Sequence, residues 1–302
     1  MTRTLAIDIG GTKTLAALVE GARIIDECQT ATGQHSSTDQ MSSAEAWCDA
    51  VAASAQAWAG DFDWVGAAVT GVIENGRWSA LNPETLPVPA GYPLANELTR
   101  RLGKPAVCFN DAQAAAWGEH RHGAGQDGAG QDGAGLGRDL VFVTVSTGIG
   151  GGVVSGGKLM VGSRGLAGSV GITRSGPSVD APKTEDVAAG RWMAAEARKA
   201  GEPGDAAAVL TAARQGKAWA VSIVSRSADA VAALLINVQL LFDPDIVVLG
   251  GGIGLADGYL DAVRARLSGA PKNLRPDLRP ATLGRHAGVV GVADLACRTY
   301  QQ

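Results

Sequence analysis

Four short stretches of this chain carry the residue types that phosphate chemistry needs. They are Asp8-Ile9-Gly10-Gly11-Thr12-Lys13-Thr14, Ser146-Thr147-Gly148-Ile149-Gly150-Gly151-Gly152, Leu249-Gly250-Gly251-Gly252-Ile253-Gly254 and Phe109-Asn110-Asp111-Ala112. In the first, the backbone N–H groups of a glycine turn can form an anion nest, to which Thr12 adds a hydroxyl and Lys13 a charge. Asp8, at a strand end, is placed to hold Mg²⁺ through water. The spacing is not that of a P-loop, and the turn leads to a strand where a dinucleotide fingerprint would lead to a helix. The second stretch repeats the device. The third leads from a strand toward a helix and suits a purine and ribose. Any one of these turns alone reads better as a tight hairpin. Three of them, each after an apolar strand, point to a nucleoside triphosphate. Asp111 follows a strand at a helix start. Alone it reads as an N-cap; beside the three turns it reads as a base for deprotonating an acceptor hydroxyl.

Alternating elements must position these groups. TLAIDI (4–9), TLAALV (14–19) and RIIDECQT (23–30) predict a β-meander whose first turn is glycine-rich. Ser42 and Glu45 have capping-box spacing before a stripe of Trp47, Val51, Ala55 and Trp58. A strand is expected over 65–73, a hairpin at Asn75-Gly76, a second strand near Trp78–Leu81 and a helix over 94–102 that stops at Gly103 and Pro105. The strand 106–110 ends at Asp111, and a helix follows over 112–120. The second half restarts with a strand at 139–146, a glycine turn at Thr147–Gly152 and a strand at 153–159. Helices are expected at 184–200, 205–215 and 217–242, then a strand entering the glycines of 246–254, and helices at 259–267 and 288–300. Between the halves, 123–135 repeat the pentapeptide GAGQD and read as a flexible surface loop. The pattern predicts an α/β protein of two similar lobes with a cleft between them.

Composition narrows the function. The 302 residues allow one large domain or two ordinary ones. With 46% hydrophobic and 19% charged residues, the chain builds a core readily. Its 26 basic and 30 acidic side chains include no Lys/Arg run longer than two, so nothing marks a nucleic-acid or anionic-membrane partner. Cys28, Cys48, Cys108 and Cys297 have neither zinc-knuckle nor disulfide-framework spacing and read as thiols of a reducing cytosol. The start turns to glycine too soon for a signal peptide. The longest apolar run, 231–242, is interrupted by Asn237 and Gln239. A cytoplasmic location is expected.

Together the four stretches resemble the ROK family of sugar kinases, over nearly the whole chain. DIGGTK matches its first phosphate motif, STGIGGG its second, VVLGGGIG its adenosine motif, and NDAQAAAWGE the segment that carries the catalytic aspartate. Within the family, VTGVIENGRWSALNPETL (69–86) and RGLAGSVG look most like the bacterial N-acetylmannosamine kinases. The resemblance implies an actin-like, hexokinase-like ATPase fold. Residues 1–113 would form a small N-terminal α/β lobe on which a C-terminal helix (about 287–302) packs back, and 114–286 a large α/β lobe. It implies ATP and Mg²⁺, Asp111 as general base, and Gly71, Asn82, Asn110 and Glu185 at the sugar. Gly10, Gly11, Thr12, Lys13, Thr147, Gly148 and Gly250–Gly252 would lie at the nucleotide. It also implies a homodimer and a role in sialic acid catabolism. Where the family carries an E-x-G-H motif and a cysteine-rich zinc loop, this chain has Ser169-Val170-Gly171-Ile172 and RSGPSVDAPKT (174–184). No zinc site is therefore expected, with Pro177, Pro182 and the packing of Ile172 fixing the loop. The expected reaction is phosphorylation of the 6-hydroxyl of an N-acetylhexosamine, N-acetylmannosamine first. Two alternatives stay open: a kinase for glucose, mannose or N-acetylglucosamine, and a non-catalytic sugar sensor. The family's DNA-binding repressors place a further domain ahead of the phosphate motif, and Asp8 is expected to leave no room for one.

Overall fold

The computed structural model describes residues 2–10, 13–31, 40–81, 88–126 and 138–301. Gly11, Thr12, Asn82 and most of the GAGQD repeat lie outside the described residues. The chain begins with β1 (Arg3–Ile9), β2 (Lys13–Glu20), β3 (Arg23–Ala31), α1 (Gln40–Ser54), β4 (Trp64–Val69), β5 (Val72–Glu74), β6 (Arg77–Ser79) and α2 (Leu94–Leu102). It continues with β7 (Ala106–Asn110), α3 (Asp111–His122), β8 (Leu140–Val145), β9 (Ile149–Ser155), β10 (Lys158–Met160), α4 (Glu185–Ala188), α5 (Gly190–Lys199), α6 (Ala206–Arg214) and α7 (Ala218–Phe242). It ends with β11 (Ile246–Gly250), α8 (Gly251–Gly254), α9 (Tyr259–Leu267), β12 (Leu278–Pro280) and α10 (Ala287–Tyr300). These form two compact units, one of Met1–His122, Leu159–Ala167 and Arg285–Gln302, the other of Gly123–Lys158 and Gly168–Gly284. A boundary at 113/114 would cut α3, which belongs whole to the first unit. The 159–167 segment, expected in the large lobe, also joins the first unit.

The first unit is a five-stranded sheet in the order β3-β2-β1-β4-β7. The antiparallel meander β1–β3 continues into the parallel strands β4 and β7. Strand alternation sends Leu5, Ile7 and Ile9 to a face packed by Trp47, Val51 and Trp58 of the α1 region and by Leu94 and Leu98 of α2. The opposite face carries small residues, Ala6, Ala17 and Ala68, which pack with Ala114 of α3 and with Val289, Val292 and Ala293 of α10. Asp8 shares this second face by the same alternation. Asp294 joins the two helices. It accepts from Trp117 Nε1 (2.7 Å) on α3 and from Arg298 Nε (2.6 Å) on α10. Burial would raise its pKa, but bonds from His122, Arg298 and Trp117 hold it well below the usual carboxylate range.

Two expectations for this unit need correction. α1 begins at Gln40, so Ser42 lies inside its first turn and is not its cap. The strand expected over 65–73 breaks after Val69, because Gly71 adopts φ 110°, a conformation that ends regular pairing. The hairpin at Asn75-Gly76 forms with both residues at positive φ (51° and 73°), the turn whose twist suits a two-residue loop.

The second unit repeats the plan with β9, β8, β11 and β12 side by side in that order. β8 and β9 are antiparallel, and β8, β11 and β12 are parallel. Val231, Leu235 and Val238 of α7 fill the core with Val141, Val143 and Leu249 of the sheet. With mean hydropathy 1.5 over its best window, α7 is long and apolar enough to cross a membrane, yet one side of it builds this core. Here too the expectations shift. Gly150–Gly152 pair within β9, so the turn is confined to Ser146–Gly148. The strand expected at 153–159 is the end of β9, a turn at Gly156-Gly157 and β10. The helix expected over 184–200 breaks at Ala189, whose extended ψ of 169° separates α4 from α5. The apolar run after Ile246 becomes helical at Gly251.

Candidate functional site

In the first unit, candidate residues gather at the carboxyl ends of parallel strands, where open α/β sheets place their ligands. Ile9, Val69 and Asn110 are in register across β1, β4 and β7. Asn110 supplies the cap of α3. Its Oδ1 accepts from Gln113 N–H (3.1 Å), while its Nδ2 donates to the Gly71 carbonyl (2.9 Å). The N-cap reading of Asp111 is thereby replaced. Asp111 is the first helical residue, and its Oδ1 accepts from the adjacent Ala112 N–H (2.8 Å). Burial raises the Asp111 pKa, opposed by the N–H groups of Ala112 and Asp111 and by the Asn110 amide. Asp8 is pushed up to about 7, chiefly by burial and then by the charge of Asp111. The first turn of α10 lies directly against it. A Cβ on Gly288 would collide with Asp8 Oδ2 and force the carboxyl to shift, so glycine permits this approach. Gly10 N–H closes the β1–β2 turn on the Lys13 carbonyl (3.0 Å), and the Lys13 side chain is exposed.

In the second unit, the Ser146–Gly148 turn is stitched to the start of α5. Gly190 N–H donates to the Ser146 carbonyl (2.8 Å) and Arg191 N–H to the Thr147 carbonyl (3.1 Å). Glu185, first in α4, lies against the same turn, since a Cβ on Gly148 would stand 3.0 Å from its Oε2. Arg191 Nη2 is 3.3 Å from that oxygen. Gly250 ends β11, and Gly251 and Gly252 begin α8.

Ser169 precedes, and Ile172 ends, a short turn of 3₁₀ helix at Val170–Ile172. The loop after it is closed by a hydrogen-bond ladder. Thr184 N–H donates to the Thr173 carbonyl (2.8 Å), the two threonine hydroxyls meet at 3.1 Å, and Ser175 N–H donates to the Pro182 carbonyl (2.9 Å). Among the described residues, no three His, Cys, Asp or Glu side chains are grouped as metal ligands.

Two residues escape sequence reasoning. Arg191 sits six positions after Glu185, and the break at Ala189 hides their proximity. Gln113 donates from Nε2 to the carbonyls of Ala167 (2.9 Å) and Gly165 (3.3 Å), tying a distant segment to the helix that carries Asp111.

The ROK family profile matches residues 4–299. The bifunctional enzyme NanE/NanK of Brucella melitensis is 44% identical over 297 residues, covering 98% of this chain and 54% of that protein. An N-acetylmannosamine kinase of Shigella boydii is 39% identical over 299 residues, covering 97% and 98% of the two chains. A ROK family glucokinase from Streptomyces griseus, solved with glucose and AMPPNP, superposes with a TM-score of 0.80 at 30% identity, covering 98% of this chain and 99% of that one. The chain therefore belongs to the ROK family, with its actin-like, hexokinase-like α/β ATPase fold. It spans about half the length of the Brucella relative.

Proposed function

We propose that this chain is an ATP-dependent sugar kinase that phosphorylates the 6-hydroxyl of an N-acetylhexosamine, with N-acetylmannosamine as its substrate. The observation that carries the reading is Asp111. Asn110 does the capping, so the Asp111 carboxylate stands free of that role at a strand end, with its pKa raised by burial. Phosphoryl transfer demands little covalent chemistry of the protein, so positioning and charge neutralisation carry the rate. Asp111 orients and deprotonates the acceptor hydroxyl. Gly71, Asn82, Asn110 and Glu185 are assigned to the sugar. Gly10, Gly11, Thr12, Lys13, Thr147, Gly148 and Gly250–Gly252 are assigned to the nucleotide.

The donor set suits Mg²⁺. Asp8 and Asp111 raise the cost of charge in one place, and a divalent cation held by Asp8 would offset it. When bound, the ion neutralises phosphate charge. The relatives' names favour N-acetylmannosamine over glucose, and the retained Asp111 favours an enzyme over a sensor. The reading carries a cytoplasmic homodimer, for which the exposed Leu240 and Leu241 offer an apolar surface. A coupled assay of ADP release with N-acetylmannosamine, N-acetylglucosamine, glucose and mannose tests it. The highest kcat/KM is expected for N-acetylmannosamine, and no ADP release with any sugar would refute the kinase.

Two narrower outcomes follow. Truncating Glu185 to Ala should raise the sugar KM roughly tenfold or more, since a lost bond to a charged partner costs about 1.5–3 kcal/mol, with the KM for ATP little changed. The ladder from Thr173 to Thr184 closes the loop where the family resemblance implies a zinc site. Elemental analysis should therefore find no stoichiometric zinc, and a zinc-specific chelator should leave Tm and Mg²⁺-supported activity unchanged. Loss of either on chelation would overturn that part.

A further inference from the structure

We propose that Arg191 binds the γ-phosphoryl group of the nucleotide, and that its contact with Glu185 is the resting arrangement from which it does so. This inference rests on the kinase reading. The root of Arg191 is fixed where phosphate would lie, because its own N–H bonds the Thr147 carbonyl of the Ser146–Gly148 turn at 3.1 Å. Its side chain turns back over the same turn, with Nη2 3.9 Å from the position a Cβ on Gly148 would take. Nη2 also approaches Glu185 Oε2 at 3.3 Å, with the arginine side chain 40% exposed and that of Glu185 14% exposed. A guanidinium has five N–H donors in a rigid fork, and this single long contact with Glu185 engages one nitrogen. A phosphoryl group, with charge spread over three oxygens, is the ligand such a fork matches. Glu185 then serves two ends. It holds the guanidinium beside the turn before nucleotide arrives, and it turns to a sugar hydroxyl when the phosphate takes the arginine over.

A single contact at 3.3 Å from a guanidinium this open to water contributes little to stability, so replacing Arg191 should leave the fold intact. Calorimetry with Mg²⁺·ADP and Mg²⁺·AMPPNP on the wild type, Arg191→Gln and Arg191→Lys reads the proposal without turnover. Arg191→Gln should weaken AMPPNP roughly tenfold or more and ADP by less than about twofold, at unchanged Tm. In steady-state assays its kcat should fall roughly 10²-fold with the sugar KM nearly unchanged, and Arg191→Lys should recover part of both losses. An unaltered AMPPNP-to-ADP ratio with a raised sugar KM would overturn the proposal and leave Arg191 as a positioning residue for Glu185. A Gln variant that matches the wild type throughout would also overturn it. A wild type that binds neither nucleotide would instead sink the kinase reading itself, and this inference with it.

Discussion

Replacing Asp111 with Asn should lower turnover roughly 10²–10⁴-fold while the protein stays folded and binds nucleotide. The substitution keeps the shape of the side chain and removes its basicity. It removes no cap, because Asn110 accepts the Gln113 N–H and leaves Asp111 outside that role. It also removes a carboxylate whose ionisation burial opposes, so Tm should hold or rise. The wild-type rate should fall as pH drops through the raised pKa of Asp111, since the base works only when deprotonated. The variant should lack that acid limb. Initial rates with N-acetylmannosamine across pH, AMPPNP affinity and melting curves check these four outcomes. Wild-type turnover in the variant would show that Asp111 is not the base.

How much of this was legible beforehand depends on whether the governing contact is local. α2 matches its sequence reading, Leu94–Leu102, because Gly103 takes the left-handed conformation that ends a helix and Pro105 follows. The Asn75-Gly76 hairpin and the two strand–turn–strand openings are local in the same way. The cap of α3 was also within reach. Asn110 and Gln113 have the three-residue spacing of a capping pair, with Asn110 one position before Asp111. Other features depend on partners far along the chain. Gly150–Gly152 look like a turn, yet Gly151 pairs with Val143 in the β8–β9 ladder, and it is glycine because the backbone at Gly168 passes too close for any side chain. The Thr173–Thr184 ladder joins residues eleven positions apart with no periodicity to reveal it. Arg191 reaches Glu185 only because the helix breaks at Ala189, a change of direction that neither residue's type predicts.

Asp8→Asn should act in opposite directions on stability and on turnover. The folded protein holds the Asp8 proton until about pH 7, chiefly because the carboxyl is buried, whereas its ordinary value is 3.8. Across that interval the unfolded chain binds fewer protons than the folded one. This group's contribution to stability therefore falls as pH rises from about 4 to about 7, and the loss is complete above that. The interval from 3.8 to about 7 sets a ceiling of roughly 4 kcal/mol on that loss. An asparagine carries no charge to bury. The ligand-free variant should match the wild type near pH 4 and melt several degrees higher near pH 8. Such a cost is retained where a charge serves function. A divalent cation on a nucleotide phosphate is the partner that would favour ionised Asp8. Mg²⁺·ADP should therefore stabilise the wild type at pH 8 far more than the variant, and the variant's turnover should fall roughly 10²-fold. Melting curves from about pH 4 to pH 8, with and without Mg²⁺·ADP, separate the two effects. Parallel pH profiles for the two proteins would mean that Asp8 carries no buried charge. A normal Mg²⁺·ADP response in the variant would mean that the charge serves something other than the metal.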